Sequence, residues 1–351
     1  MIKNSNKTDS FKENYNSIEL FAGAGGMALG LEYSGFNNKL LIENNKWASK
    51  TLKTNRKEWN ILEKDIQTID YRTIKESINN SSIDLISGGF PCQPFSYAGK
   101  KLGIEDVRGT LFYDFARIVS EIKPKFFLAE NVKGLLTHDK GKTLETILQV
   151  FEKENYVLTH KVLNSINYGV GQKRQRIFIV GIRNDVYKVV GKEFEFPQPY
   201  NYKLNLRDVL SGVPESICAS YSKEKKEIFK KVSPGGCWKD LPEKIAKEYM
   251  KKSYYSGGGK TGIARRLSWD EPGLTVLCSP MQKQTDRCHP DEIRPFSVRE
   301  NARIQSFPDE WIFEGSMNEQ YKQIGNAVPV NLVKEVGLKI VEYIKEYNEK
   351  V

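Results

Sequence analysis

Three stretches of the chain place reactive side chains in settings that suit chemistry better than packing. Cys92 stands in Gly88-Gly-Phe-Pro-Cys-Gln-Pro-Phe-Ser96. Pro91 and Pro94 stiffen the backbone on either side of it. A lone cysteine is ordinarily a small buried hydrophobe. Here its neighbours are turn formers, which reads as a nucleophile presented on a rigid turn, reactive as the thiolate. Further on, the apolar run Phe126–Ala129 ends abruptly in Glu130-Asn131. A carboxylate at the end of such a run has few structural uses; it could cap the following helix, but its distance from that helix argues against it. In Gln172-Lys-Arg-Gln-Arg176 the residues Gln172, Arg174 and Arg176 alternate and share one face of an extended segment. Two arginines at that period, directly before an apolar strand, suit an anion or a carbonyl.

A fourth stretch reads as a ligand cradle. Leu20-Phe-Ala-Gly-Ala-Gly-Gly-Met27 follows an apolar run and opens a helix-period segment. Gly23 and Gly25 permit a tight turn and close approach of a ligand to the backbone. Glu43 lies 20 residues beyond Gly23, where two carboxylate oxygens suit the two hydroxyls of a ribose. Gly23-x-Gly25-x-x-Ala28 also satisfies the dinucleotide pattern, so the turn alone fits NAD and S-adenosylmethionine equally. It indicates a nucleoside-containing cofactor.

The elements that position these residues follow from periodicity. Strands are expected at Ser17–Phe21, Lys39–Glu43, Ile83–Ser87, Phe126–Glu130 and Ile177–Ile182. Helices are expected at Met27–Tyr33, Lys46–Asn55, Leu111–Ile122 and Thr143–Glu154. Strand–helix alternation of this kind predicts a doubly wound α/β fold with a mostly parallel sheet. Cys92 and Glu130 then sit past the C-terminal ends of strands, the edge where open α/β sheets bind ligands. Periodicity weakens after Phe196-Pro-Gln-Pro199, which predicts an irregular second domain, and helical patterns resume at Ser297–Gln305 and Val330–Tyr347.

Composition sets the outer bounds. The 351 residues are 39% hydrophobic and 28% charged, enough apolar material for a core of about two domains. No apolar run approaches the ~20 residues of a membrane span, and the polar first residues lack a secretion-signal pattern. Five cysteines without close pairing argue against a disulfide framework, so a cytoplasmic setting is expected. Cys278 and Cys288-His289 lack metal-ligand spacing, and no metal is expected. The net charge is +10, and residues 191–290 alone hold 18 Lys and Arg against 12 Asp and Glu. That excess fits a polyanion partner or a lysine-rich solvated surface. Within it, Lys251, Lys252, Lys260, Arg265 and Arg266 lie among Tyr254, Tyr255 and Trp269, a pattern shared by nucleic-acid surfaces and small satellite cores.

Taken in order, these blocks resemble the DNA (cytosine-5) methyltransferases of bacterial type II restriction–modification systems, over most of the chain. Phe21, Ala22, Gly23, Gly25 and Gly26 look like the family's cofactor loop, Glu43 with Asn44 like its ribose site, and Asp65-Ile66 like its adenine contact. Asn44-Asn45 stands where the family often has an aromatic residue. Pro91-Cys92-Gln93 looks like the catalytic block, followed by Arg108-Gly-Thr-Leu-Phe112, then Glu130-Asn131-Val132 and Gln172-x-Arg174-x-Arg176. Arg294–Pro308 and Gln323-Ile-Gly-Asn-Ala-Val328 resemble the last two blocks.

The resemblance implies the methyltransferase fold with S-adenosylmethionine as cofactor, held by the loop residues, Glu43, Asn44, Asp65, Ile66, Pro91, Leu111, Asn326 and Ala327. Catalysis is implied for Cys92, Gln93, Glu130, Asn131, Arg174 and Arg176. Residues 1–190, completed by 322–351, would form the catalytic domain, and 191–321 a smaller, irregular target-recognition domain. Segment 191–293 matches no shared block, as the part that varies with DNA target would. The partner would be double-stranded DNA, with the target base flipped out and Ser96–Val107 closing over it on Gly99 and Gly103. A restriction endonuclease would be a functional rather than a physical partner, and the enzyme a monomer. Rival readings are an RNA cytosine methyltransferase, whose usual Cys-Phe-Thr signature is absent here, a DNA-binding protein without catalysis, and an NAD oxidoreductase, which accounts for the glycine turn only.

Overall fold

The computed structural model describes residues 15–91, 110–255, 261–282 and 285–351. The first half runs β1 (Tyr15–Leu20), α1 (Gly26–Tyr33), β2 (Phe36–Ile42), α2 (Lys46–Asn55), β3 (Ile61–Leu62), α3 (Tyr71–Ser77), β4 (Leu85–Gly88), α4 (Leu111–Ile122), β5 (Phe126–Val132), α5 (Lys142–Lys153), β6 (Tyr156–Asn164), β7 (Gln172–Lys173), β8 (Gln175–Arg183) and α6 (Asn184–Val190). The rest runs α7 (Leu206–Leu210), α8 (Lys223–Phe229), α9 (Glu243–Met250), β9 (Gly273–Leu274), α10 (Val298–Ile304), α11 (Met317–Asn326) and α12 (Val330–Lys350).

Seven strands form one sheet in the order β3-β2-β1-β4-β5-β8-β6. The pairs from β3 to β5 are parallel, and β8 alone is reversed, antiparallel to both β5 and β6. The expected doubly wound, mostly parallel sheet is therefore present. The strand expected at Ile177–Ile182 is not an edge: β6, which periodicity did not reveal, pairs outside it. The middle of β6 is polar, with Thr159 half-buried and His160 and Lys161 exposed, as an edge strand tolerates, and this interrupts its apolar pattern.

Central strands are apolar on both faces and feed two cores. Phe127 and Ala129 of β5 and Ile177 and Ile179 of β8 pack with α3, α4 and α5. Phe126 and Leu128, with Phe178 and Val180, pack with α1, α6 and α12. α12 lies against α1 at glycines: a Cβ on Gly30 would fall 2.6 Å from the Val330 carbonyl oxygen. A third core joins Ala24, Leu52 and Trp59 to Leu206, Phe296, Trp311 and Tyr321. A small separate core gathers Tyr221, Phe229, Leu241, Ala246 and Cys288 from the otherwise irregular region.

Candidate active site

The chain leaves β1 for β2 on one side and returns through β4 on the other, which opens a crevice above the C-terminal ends of these strands. That crevice encloses ≈ 1780 Å³ of space continuous with solvent. Its walls include Phe21, Ala22, Gly23 and Gly26 from the glycine turn, Glu43 and Asn44, Pro91, Glu130 and Asn131, Arg174 and Arg176, and Asn326 and Ala327 from the end of α11. Residues far apart in sequence thus line one cleft.

The glycine turn is built for this. Gly23 has φ +55 and, among the described residues, no atom within 4 Å of the place a Cβ would occupy, so its backbone is open toward the cleft. Glu43 anchors the turn: its Oε2 accepts from Gly23 N at 2.7 Å and its Oε1 from Asn45 N at 2.7 Å. Each oxygen keeps a second lone pair, which is what a ribose diol requires. Asn45 starts α2, its side chain accepting from Trp47 N and Ala48 N. Gly25 serves packing instead: a Cβ there would meet Leu52 and Trp311 at 2.7 and 2.9 Å.

Opposite the turn, Glu130 Oε1 lies 3.0 Å from Arg176 Nε. Burial pushes the Glu130 carboxyl above the usual carboxylate range, against the pull of Arg176 and Arg174. Gly89 leaves room for it, since a Cβ there would stand 2.9 Å from Glu130 Oε2. Asn131 works on the neighbouring backbone, its Nδ2 donating to the Phe90 carbonyl at 2.8 Å, immediately before Pro91. Phe90 is itself wedged against Phe112 and Phe115. Cys92 and Gln93 lie outside the described residues, as do Ser96–Val107, Arg108 and Lys260.

Of the three alternating residues, Arg174 and Arg176 line the cleft and Gln172 does not, and Arg176 is the one that pairs with Glu130. Gln172 donates to Gln305 Oε1 at 2.8 Å and accepts from Val276 N at 2.8 Å. Arg174 donates to the carbonyls of Val276 and Gly325 at 3.3 and 3.1 Å. These two side chains clamp the C-terminal segments onto the sheet edge. Asp65 is an exposed cap that accepts from Gln67 N at 3.0 Å. Ile66 is buried in the α3–α4 core and Leu111 packs against the same core. Asp65, Ile66, Leu111 and Gly25 are not on the cleft wall.

The profile of the C-5 cytosine-specific DNA methylase family matches residues 15–342. The chain is 57% identical over 336 residues to the type II methyltransferase M.Sau96I of Staphylococcus aureus, covering 96% of this chain and 78% of that protein. It is 56% identical over 344 residues to the type II methyltransferase M.Eco47II of Escherichia coli, covering 96% and 81%. The chain belongs to the C-5 cytosine-specific DNA methylase family. In fold it is similar to the Dnmt2 methyltransferase of S. pombe, with a TM-score of 0.65 at 17% identity over 94% of this chain and 99% of that one. It is a DNA (cytosine-5) methyltransferase of the type II restriction–modification kind.

Two features of this methyltransferase go beyond what its sequence decides. Arg265 and Arg266 are structural: Arg265 pairs with Glu271 at 2.7 Å, and Arg266 donates to the carbonyls of Pro290, Val232 and Asp291. Trp269 Nε1 donates to the Asp291 carboxylate at 2.9 Å. The second is Glu19, a cleft-lining carboxylate that the motifs did not single out. It is 2% exposed, its Oε2 has no hydrogen-bond partner among the described residues, and burial pushes it well above the usual carboxylate range, with Glu43 adding to the shift. The buried Ser87 hydroxyl, opposite Glu19 in the β1–β4 register, is also without a partner among the described residues. A charge inside the apolar run of β1 was the available signal. Among the described residues no helix is long and apolar enough to cross a membrane, and no cluster of His, Cys, Asp or Glu is arranged to hold a metal ion.

Proposed function

We propose that the chain transfers a methyl group from S-adenosylmethionine to C5 of a cytosine flipped out of a short, specific duplex sequence. The reaction passes through a covalent bond between Cys92 and C6, and the modification protects DNA from a partner restriction endonuclease. The observation that carries this reading is the cleft itself: a bare glycine turn anchored by Glu43 faces the Glu130–Arg176 pair across one space. The residues fit the cofactor, because Gly23 offers open backbone and Glu43 keeps a free lone pair on each oxygen.

Cytosine C5 is a poor nucleophile, and each residue addresses that. The Cys92 thiolate adds to C6, which makes the ring electron-rich at C5. Glu130, whose carboxyl burial raises above the usual range, donates a hydrogen bond or a proton to N3 and accepts from the N4 amino group. Arg176 holds the O2 carbonyl as negative charge gathers there. The bound cofactor supplies an electrophilic sulfonium methyl, which C5 attacks. Water or hydroxide then takes the C5 proton, the electrons reform the 5,6 double bond, and the Cys92 sulfur leaves. Reaching C5 requires extruding the nucleotide from the stack, at a few kcal/mol.

Residues 1–190 with 322–351 carry this chemistry and 191–321 the choice of DNA sequence. The small core around Tyr221 and Cys288 provides a body of its own within that region. The enzyme acts as a monomer, with the endonuclease a functional partner. Transfer of tritiated methyl groups to duplex DNA and to tRNA, with bisulfite sequencing of plasmid from expressing cells, tests the reading. Label on duplex cytosines within one short sequence is expected; label on tRNA alone overturns it.

A further inference from the structure

Cys278 lies in the segment that matches no shared motif, yet it lines the cleft beside Asn326. Its Sγ donates to Asn326 Oδ1 at 2.9 Å, across 48 residues of sequence. The contact is enforced from several sides. Gly325 lets the two segments touch, since a Cβ there would fall 2.4 Å from Cys278 N and Leu277 C. Arg174 bridges the carbonyls of Val276 and Gly325, and Gln172 takes Val276 N. Arg174 is 2% exposed, and its Nε–H, on the same cleft wall, has no acceptor among the described residues.

In this contact the thiol is the donor and the amide oxygen the acceptor. Burial pushes the Cys278 thiol up, against the pull of Arg174, Lys322 and Arg176, so it keeps its proton at neutral pH. With the S–H donating, the Asn326 amide turns its oxygen toward the sulfur. Nδ2 then points away from the sulfur, on a residue exposed to the cleft, without an acceptor among the described residues.

We propose that Cys278 is a positioning residue whose thiol turns the Asn326 amide so that Nδ2 meets the carboxylate of the cofactor's amino-acid tail. This rests on the cofactor reading above. A carboxylate is the one anionic group of S-adenosylmethionine, and a fixed amide donor at the end of α11 suits it.

The test is equilibrium binding of S-adenosylhomocysteine to the full chain. Failure of the unaltered chain to bind it overturns the cofactor reading itself. With binding present, Cys278→Ala should raise Kd about three- to tenfold, the effect of one hydrogen bond. Cys278→Ser, which keeps a donor, should stay within about twofold of the unaltered chain. Toward an analogue lacking the carboxylate, Cys278→Ala and the unaltered chain should bind alike. An unchanged Kd in Cys278→Ala, an equal loss in both variants, or an equal loss toward the decarboxylated analogue overturns the assignment.

Discussion

Glu130 and Arg176 face each other diagonally across the antiparallel pair β5–β8, Glu130 standing opposite Phe178 and Arg176 opposite Val132. The two-residue offset keeps both side chains on one face of the sheet. It brings the carboxylate to 3.0 Å from the guanidinium at the mouth of the cleft. Glu130→Gln keeps the shape and removes the acid. Methyl transfer should fall by at least about a hundredfold, the usual loss of a general acid, while duplex binding in a gel-shift assay persists. Near-normal single-turnover rates would remove Glu130 from the chemistry.

Cys92→Ser replaces a thiol by a hydroxyl that is far less ionised at neutral pH. Turnover should vanish while DNA binding survives, and no covalent complex should form with duplex carrying 5-fluorocytosine at the target. Residual turnover above a small fraction of the original would show that the nucleophile is elsewhere.

Cofactor affinity should separate Glu43 from Asp65. Glu43→Ala removes the acceptor of both Gly23 N and Asn45 N, loosening the turn as well as the ribose contact. It should raise KM for S-adenosylmethionine with little change in DNA affinity. Asp65 caps an exposed turn away from the cleft wall, so Asp65→Ala should change KM less. Equal effects of the two substitutions would place the adenosine differently.

Glu19 gives a pH dependence of stability. Its native carboxyl is held well above the usual range by burial, so the fold favours the protonated form. The stabilisation is full below the unfolded carboxylate value of about 4.3 and is lost as pH rises through the native value. Glu19→Gln cannot ionise, so its melting temperature should gain on the unaltered chain as pH rises from acidic to alkaline. A gap independent of pH would mean that Glu19 does not titrate in this range.

Target choice is expected to travel with 191–293. A chimera carrying that region from a relative of different specificity should methylate the relative's sequence, since base contacts discriminate by ~1–3 kcal/mol each and a few suffice. Mapping of 5-methylcytosines reads the outcome; an active chimera that still marks the original sequence would place recognition elsewhere. The paired state of Arg265 and Arg266 narrows the search to other side chains of the region.

The sequence by itself determined the central strands and the chemistry-bearing blocks, because both are local. Alternation of strands and helices is a matter of periodicity, and helix limits such as Lys46–Asn55 and Leu111–Ile122 follow from it and from caps at Asn45 and Thr110. The glycine turn and Glu43 are also legible, since they flank adjacent strands. Tertiary structure alone decided what holds the site together. Trp311 donates to the Ala24 carbonyl at 3.1 Å from 287 residues away, bracing the glycine turn. Arg174, read alongside Arg176, reaches the carbonyls of Val276 and Gly325. Every residue carries a carbonyl, so no side-chain pattern marks which one an arginine or an indole will meet. Glu19 is hidden for a related reason: its significance lies in a missing partner, which only the packing around β1 reveals.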